Sequence, residues 1–165
     1  FHLRALHPHS FNILNYFAGK ISKVHCFAMK GKNRSIWTNA QINLMFENNV
    51  IGHLRGSYDG DFPSGSFGIE NLEIVGSDGR IVIDNACEAL EFFPRRSRSS
   101  ERYECLGGMR HFDETFHSRI KVWVDDNLNN VKPDEVNGSA KEGLDVQLTI
   151  EAAIQSFENN SVIDL

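Results

Sequence analysis

Apolar and polar residues alternate most regularly between positions 36 and 47. Ile36, Thr38, Ala40, Ile42, Leu44 and Phe46 share one face, and Trp37, Asn39, Gln41, Asn43, Met45 and Glu47 share the other. A period of two is what a strand of a half-buried antiparallel sheet requires. Asn48-Asn49 favours a tight hairpin after this strand, because asparagine tolerates positive φ. Gly52 and Gly56 lie in the predicted return strand, Val50 to Tyr58, where they admit close approach of another backbone.

Further segments have the length and composition of strands. They are Lys20 to Lys30, Ile69 to Val75, Arg80 to Asp84, Ala89 to Phe93 and a short edge strand from Val162 to Leu165. Gly76-Ser77-Asp78-Gly79 lies between two of these segments and predicts a hairpin turn rather than a phosphate loop. The stretch from Arg95 to Cys105 is polar and predicts a loop.

The residues after Pro8 predict a short helix with one apolar face. Ser10 is expected to be its N-cap, and Gly19 is expected to end it in a left-handed conformation. The residues of the apolar face are Phe11, Leu14 and Ala18, widened by Ile13 and Phe17. This helix carries His7 and His9 at its N-terminal end, where a rigid element can support a functional site.

Two longer helices are predicted after the strands. The first, from about Met109 to Leu128, has an apolar stripe typical of a core contact, formed by Met109, Phe112, Phe116, Ile120, Trp123 and Val124. The last, roughly Ala140 to Glu158, is apolar around much of its circumference and is predicted to be deeply buried. Strands first and helices afterwards predict an α+β domain. Its open, predominantly antiparallel sheet is expected to have helices on one face and the other face available for subunit association.

Length and charge narrow the possible functions. The 165 residues are most simply a single domain spanning 1–165, and 17 basic against 22 acidic residues argue against a nucleic-acid binder. No stretch approaches the roughly 20 apolar residues of a membrane span, and none resembles a signal peptide. Cys26, Cys87 and Cys105 lack any CxxC pairing, which favours a reducing, cytoplasmic location. The chain begins with Phe1 rather than Met, and we expect it to be part of a longer protein.

Histidines near the start of the chain are candidates for metal binding or acid/base catalysis. His2, His7 and His9 could bind a metal ion, but no acidic residue lies within the first twelve positions to complete a ligand set. A second interpretation makes His7 and His9 structural residues, hydrogen-bonded to backbone where the helix starts. A third makes one of them an acid/base group that faces substrate, because imidazole exchanges protons near neutral pH.

Segments in four parts of the chain resemble, in order, motifs of the Gfo/Idh/MocA oxidoreductases, which include glucose-fructose oxidoreductase and inositol dehydrogenase. His9 to Gly19 is similar to the family's His-x-x-Asp-x-x-x-x-x-x-Gly segment, and Ala40 to Tyr58 resembles its glycine-containing strand pair. Glu73 to Ile81 is similar to its Ile-x-Gly-x-x-Gly-x-Ile hairpin. Glu142 to Val162 resembles its closing helix and edge strand. The resemblance spans nearly the whole chain.

The resemblance implies the C-terminal substrate-binding and oligomerisation domain of an NAD(P)-dependent dehydrogenase acting on a sugar, polyol or related hydroxy compound. NAD or NADP would be bound mainly by an N-terminal Rossmann domain outside this chain, which also brings a catalytic lysine. The chain alone is therefore expected to be inactive, and it has no glycine-rich nucleotide loop of its own. His9 corresponds to the family histidine and is the expected catalytic residue, exchanging the proton of the reacting hydroxyl. The free sheet face would join copies into a homo-oligomer.

Two positions depart from the family pattern. Ala5 and Asn12 stand where the family often has aspartates, four residues before and three residues after its histidine. Arg4, His7 and Asn12 are the residues expected to contact substrate, and Arg4 or His7 would favour an acidic or differently oriented one. The departures also support an alternative function, a non-enzymatic sensor or assembly module that keeps the dehydrogenase fold. A third class, a metal-dependent hydrolase, rests on the histidines alone.

Overall fold

The computed structural model describes residues 2–59 and 70–165. The α-helices are α1 (Leu3–Leu6), α2 (Pro8–Ala18), α3 (Phe112–Leu128) and α4 (Ala140–Asn159), and the strands are β1 (Ile21–Met29), β2 (Asn39–Phe46), β3 (Ile51–Ser57), β4 (Leu72–Val75), β5 (Gly79–Asp84), β6 (Ala89–Pro94), β7 (Glu101–Glu104) and β8 (Ile163–Asp164). Every strand pairing among the described residues is antiparallel, so the predicted α+β class is confirmed. The strands divide between two four-stranded sheets, whereas the sequence predicts a single open one.

The two sheets belong to two compact units. The first unit comprises Phe1–Gly60 and Lys132–Leu165, and the second comprises Asp61–Val131. The first contains the sheet β3-β2-β1-β8 with α1, α2 and α4, and the second contains the sheet β4-β5-β6-β7 with α3. Strand β8 pairs with β1, which confirms the predicted short edge strand at the end of the chain.

The core of the first unit lies between one face of its sheet and two helices. The alternate residues Ala40, Ile42, Leu44 and Phe46 of β2 are at most 5% exposed, as the period-two pattern predicts. Phe11 of α2 and Ile150 of α4 are completely buried in the same cluster. Removal of this apolar surface from water is the main stabilising contribution, at about 25 cal/mol per Å². Both helices are therefore held to one face of the sheet.

The opposite face of this sheet carries apolar side chains that are exposed. They are Phe27 and Met29 of β1, Met45 of β2 and Ile51 of β3. The strand register pairs Met45 with Ile51, so the apolar residues include direct neighbours across the strands. In this unit the helices cover one face of the sheet and leave apolar groups on the other.

Helix α2 begins earlier than the sequence predicts. Pro8 occupies its first position, which suits proline because the N–H there has no helical partner. His7 is the N-cap and Ser10 lies inside the first turn, so the prediction of Ser10 as N-cap is wrong. Gly19 follows the helix with a φ of 86° and a ψ of −169°, so the predicted stop at this glycine is confirmed, but its ψ lies outside the left-handed helical region.

The apolar pattern overestimates the buried faces of α2 and α4. In α2, Ile13 and Phe17 are exposed and do not widen the buried face. In α4, Leu144 and Leu148 are exposed, while the buried residues are Val146, Thr149, Ile150, Ala152, Ala153, Ile154 and Ser156. Helix α4 is therefore buried along one face and not deeply buried all round. None of the helices in the described ranges is long and apolar enough to cross a lipid bilayer.

The second unit differs most from the predictions. Strand β7 pairs with β6 within the stretch predicted to be a loop, and all its residues are exposed. Such an edge strand is held by backbone hydrogen bonds, so its side chains give no alternating pattern.

The predicted hairpin turn at Gly76 to Gly79 is confirmed, since the N–H of Gly76 donates to the carbonyl of Gly79 at 2.9 Å. Phe116, Ile120, Trp123 and Val124 of α3 are exposed, so the predicted burial of this stripe is wrong.

Candidate functional site

His9 lies in the first turn of α2, with its side chain exposed. Asn12 is exposed one turn further along the same helical face, because residues three apart are neighbours on a helix. Between them Phe11 points into the core and anchors the helix. Within the described part of the chain, the side chain of His9 makes no hydrogen bond or ion pair. Two of the four predicted site residues therefore share one exposed face of a firmly packed helix.

A cavity of about 260 Å³ opens beside Asn12, between α2 and the first turns of α4. The residues that line it include Asn12, Asn15, Lys20 and Asp145. Oδ1 of Asn15 is buried and has no hydrogen-bond partner among the described residues. Amide, carboxylate and ammonium groups supply both the donors and the acceptors that a hydroxyl group needs. The cavity is therefore suited to a polar, hydroxyl-bearing ligand.

A capping box fixes the wall that α4 contributes to this cavity. Oγ of Ser139 accepts the N–H of Glu142 at 3.2 Å, and the Glu142 carboxylate accepts the N–H of Ser139 at 3.1 Å. The same carboxylate accepts the N–H of Gly138 at 2.6 Å. Ser-x-x-Glu before an apolar helix is a sequence signal for this arrangement. That signal identifies Glu142 as a structural residue of the cavity wall.

His7 is turned into the protein. Its Nδ1 lies 3.1 Å from the Ser10 hydroxyl, and its ring packs edge-on against His2 with 5.0 Å between ring centroids. Its Nε2 is buried and has no partner among the described residues. Burial, and then the nearby His2, lower the pKa of His7 to about 4, so the ring is neutral near pH 7. A substrate contact by His7, as predicted, would require the ring to leave this position.

His2 is the most buried imidazole of the site, at 1% exposure. Its Nδ1 donates to the carbonyl of Trp37 at 3.0 Å, and its ring packs edge-on against Tyr58. Burial lowers the pKa of His2, although the Trp37 carbonyl and the charge of Asp59 act in the opposite direction. Within residues 2–59 and 70–165, no group of three or more His, Cys, Asp or Glu side chains is placed to hold a metal ion.

Arg4 forms an ion pair with a residue of α4. Its Nε and one terminal nitrogen donate to the two carboxylate oxygens of Glu151, both at 2.7 Å. The hydrogen bond from Arg4 lowers the pKa of Glu151. Because both side chains are largely exposed, such a pair contributes at most about 1 kcal/mol. A substrate contact by Arg4 would have to break this pair, and that role stays a prediction.

Two glycines of β3 make room for side chains, whereas the sequence predicts the approach of another backbone. A Cβ at Gly52 would lie 3.3 Å from the ring of Phe46. A Cβ at Gly56 would overlap Nε2 of His7 and lie 2.5 Å from its Cε1. The approach at Gly56 is thus close, but the approaching group is an imidazole and not a backbone.

Acidification is expected to destabilise the first unit between about pH 6.5 and pH 4. Because burial lowers the pKa of folded His7 from 6.5 to about 4, the unfolded chain binds a proton in this range and the folded chain does not. The contribution is complete above pH 6.5 and is lost as the pH falls toward 4. We expect a loss of roughly 1–2 kcal/mol in the free energy of unfolding, allowing for partial exposure of the ring. Urea unfolding at several pH values measures it.

Substitutions of two histidines test the assignment to His7. His7→Gln is expected to reduce the pH dependence in this range, and the part that remains comes from the neighbouring His2, whose pKa is also lowered by burial. His53→Gln, at an exposed position of β3, is the matched control. The hydrogen bond from the Thr38 hydroxyl is the main cause that lowers the pKa of Asp59, so the contribution of Asp59 to stability is lost only at a lower pH. Asp59 is present in both variants and does not affect their comparison. Equal pH slopes for wild type and His7→Gln would contradict the assignment to His7.

Residues 2–82, which include His9, Asn12 and Gly56, match the family described as GFO/IDH/MocA C-terminal domain. These residues, about half of the chain, belong to this family. The resemblance found in the sequence is thereby confirmed. No curated protein sequence matches the chain.

Solved structures share the fold over nearly the whole chain. An oxidoreductase from Agrobacterium radiobacter, in complex with NAD+, L-tartaric acid and magnesium, matches with a TM-score of 0.82 and 18% identity over 98% of this chain and 48% of that one. Levoglucosan dehydrogenase, in complex with NADH and levoglucosan, matches with a TM-score of 0.80 and 16% identity over 97% of this chain and 49% of that one. Aldose-aldose oxidoreductase from Caulobacter crescentus, complexed with glycerol, matches with a TM-score of 0.75 and 15% identity over 96% and 45%.

These similarities at low identity show the shared fold alone, because one fold hosts many functions. The chain spans about half the length of the solved structures it matches.

Proposed function

We propose that the chain is the C-terminal substrate-binding and oligomerisation domain of an NAD(P)-dependent oxidoreductase acting on a sugar, polyol or related hydroxy compound. The observation that carries this proposal is the exposed face of His9 and Asn12 beside a polar cavity, in a member of this family. Structures with the same fold support the substrate class, since their ligands include levoglucosan, L-sorbose and glycerol. All three ligands carry several hydroxyl groups.

In this proposal His9 is the base for alcohol oxidation. The O–H bond of the reacting hydroxyl breaks and its proton passes to the imidazole of His9, while the adjacent C–H bond breaks and a carbonyl forms. A bound nicotinamide cofactor supplies the hydride acceptor. The amide of Asn12, one helical turn away, holds a neighbouring hydroxyl group by hydrogen bonds. Proton transfer to a positioned imidazole is typically worth ~10²–10⁴-fold in rate.

The described residues do not themselves form a dinucleotide site. Every strand pairing among them is antiparallel, whereas the βαβ unit that cradles a pyrophosphate needs parallel strands and a glycine-rich turn. We therefore place the binding of NAD or NADP mainly in an N-terminal Rossmann domain outside this chain. On that basis the chain alone is inactive, and the activity belongs to the longer protein.

Cofactor reduction by the full-length protein tests this function. The protein is incubated with NAD or NADP and a panel of sugars, polyols and hydroxy acids, and this chain alone is assayed beside it. We expect reduced cofactor with at least one compound for the full-length protein and none for the chain alone.

The alternative function is that of a sensor or assembly module. It is favoured by Asn12, which has no carboxylate. Binding of hydroxy compounds without cofactor reduction would support that alternative and contradict the proposed enzymatic function.

The proposed oligomerisation uses the exposed face of the sheet β3-β2-β1-β8. A sheet face with several exposed apolar side chains is typical of an association surface. We expect the protein to be a dimer or larger in analytical ultracentrifugation, and Ile51→Glu to dissociate it. Val75→Glu is the matched control, because Ile51 and Val75 are 76% and 75% exposed on strands of the two units. A monomeric wild type, or equal effects of both substitutions, would contradict this use of the face.

A further inference from the structure

The ring of His7 occupies a fixed place at the junction of α1 and α2. The residue ends α1 and is also the N-cap of α2, and its carbonyl accepts the N–H of Phe11 at 3.0 Å. Its Nδ1 contacts the hydroxyl of Ser10 in the first turn at 3.1 Å. The side chain and the backbone of His7 therefore both bind the turn that carries His9.

Gly56 of β3 provides the space that this ring occupies. A Cβ at position 56 would overlap Nε2 of His7, lie 2.5 Å from Cε1 and lie 3.0 Å from Cδ2. Real Cβ atoms essentially never come closer than 3.0 Å to such neighbours. The backbone of Gly56 lies in a regular strand, paired with Ala40, and does not have positive φ. Glycine is required here for space and not for backbone conformation.

Three aromatic rings connect this contact to the ends of the hairpin formed by β2 and β3. The ring of His7 packs edge-on against His2, and His2 packs edge-on against Tyr58, which follows β3. His2 also donates through Nδ1 to the carbonyl of Trp37, which precedes β2. His2, at the centre of the three rings, is 1% exposed, whereas Tyr58 is 43% exposed. In addition to the buried Phe11, these rings therefore connect the start of α2 to the ends of the hairpin.

We propose that the contact between His7 and Gly56 sets the position of the first turn of α2, and that His7 is a positioning residue for the proton transfer assigned to His9. This inference rests on the proposed function. His9 follows His7 by two residues on the same turn, so a displacement of His7 moves the backbone that carries His9. A displacement of about 1 Å at a reacting group can reduce the rate by as much as 10²-fold. The contact therefore acts on turnover through the placement of His9.

Substitutions at Gly56 and His7 in the full-length protein test this role. Gly56→Ala is expected to lower kcat at least about tenfold, with a smaller change in KM, because the methyl group displaces the ring. In the His7→Ala background the ring is absent, and Gly56→Ala is expected to have little further effect on kcat. This dependence on His7 identifies the steric contact itself, since a general weakening of β3 would reduce activity in both backgrounds.

Gly52→Ala is the matched control on the same strand. Its Cβ would lie 3.3 Å from the ring of Phe46 and would not meet α2. We expect wild-type kcat for this variant at temperatures where thermal melting shows the protein to be folded. Equal losses of kcat for Gly52→Ala and Gly56→Ala would overturn the positioning role. The positioning role would also be overturned if Gly56→Ala lowered kcat equally in the wild-type and His7→Ala backgrounds.

The role of His7 and the proposed function can fail separately. If His9→Ala retains wild-type turnover, the proposed function is wrong for His9, and the positioning role is overturned with it. If His9→Ala is inactive but Gly56→Ala and His7→Ala both turn over at the wild-type rate, only the positioning role is overturned. If Gly56→Ala does not fold, the kcat of His7→Ala decides the question. A wild-type kcat for His7→Ala would contradict the positioning role of His7.

Discussion

Replacement of His9 by alanine in the full-length protein is expected to lower kcat by ~10²–10⁴-fold. The loss follows from the removal of the imidazole that takes the proton of the reacting hydroxyl. The free energy of unfolding should change by no more than about 0.5 kcal/mol, because the side chain is exposed and makes no hydrogen bond or ion pair within the described residues. Steady-state kinetics with the best compound of the panel, together with urea unfolding, measure both quantities.

His117→Ala is a suitable control for this variant. His117 is also an exposed histidine on a helix, α3, in the other compact unit. Its replacement should leave kcat and KM at wild-type values. An unchanged kcat in His9→Ala would remove His9 from the mechanism, and a large loss of stability would make its role structural.

The largest effect on stability is expected for Phe11→Ala. Phe11 is completely buried and joins α2 to the sheet and to α4 in the core of the first unit. Truncation of a buried phenylalanine typically costs 3–5 kcal/mol, because apolar contacts are lost and a cavity remains. The midpoint of urea unfolding should fall accordingly, with turnover reduced as α2 loosens.

Phe17 provides the matched control on the same helix. It is 49% exposed, so Phe17→Ala should change the free energy of unfolding by less than about 1 kcal/mol. The comparison holds residue type, substitution and helix constant and varies only burial. Similar losses at both positions would contradict the orientation of α2 described here, and with it the exposure of His9.

The strands of the first unit could be predicted from the sequence because their hydrophobic period is unambiguous. Strand β2 alternates without interruption, and Asn49 takes the positive φ that the hairpin signal predicts. Helix α2 was predicted with the correct C-terminal stop at Gly19 but a wrong start. The preference of proline for the first helical position competes there with the capping preference of Ser10, and proline decides the start.

Burial of the helices could not be predicted as well as their existence. Periodicity identifies an apolar face but not the surface that covers it. In α4 two apolar faces compete, and the face containing Val146 and Ile150 is buried while Leu144 and Leu148 are exposed. Strand β7 has four exposed residues and no alternation, so only its backbone pairing with β6 reveals it.

Part of the candidate site was within reach of sequence reasoning. Asn12 and Asn15, three residues apart, lie on one face of the predicted helix. His9 lies before the predicted N-cap Ser10, and it joins this face only because the helix starts at Pro8. The inward position of His7 does not follow from the sequence, because it depends on the space left by Gly56 on a strand distant in the chain. The ion pair of Arg4 with Glu151 likewise joins residues that no local pattern relates.

The most direct test of the central claim follows hydrogen from substrate to cofactor. A hydroxy compound from the panel, deuterated at the carbon that bears the reacting hydroxyl, is given to the full-length protein with NAD or NADP. If the chain is the substrate domain of a nicotinamide-dependent oxidoreductase, mass spectrometry finds the deuterium in the reduced nicotinamide and a carbonyl at the labelled carbon. Retention of the deuterium in the bound compound, with no reduced cofactor formed across the panel, would contradict the account.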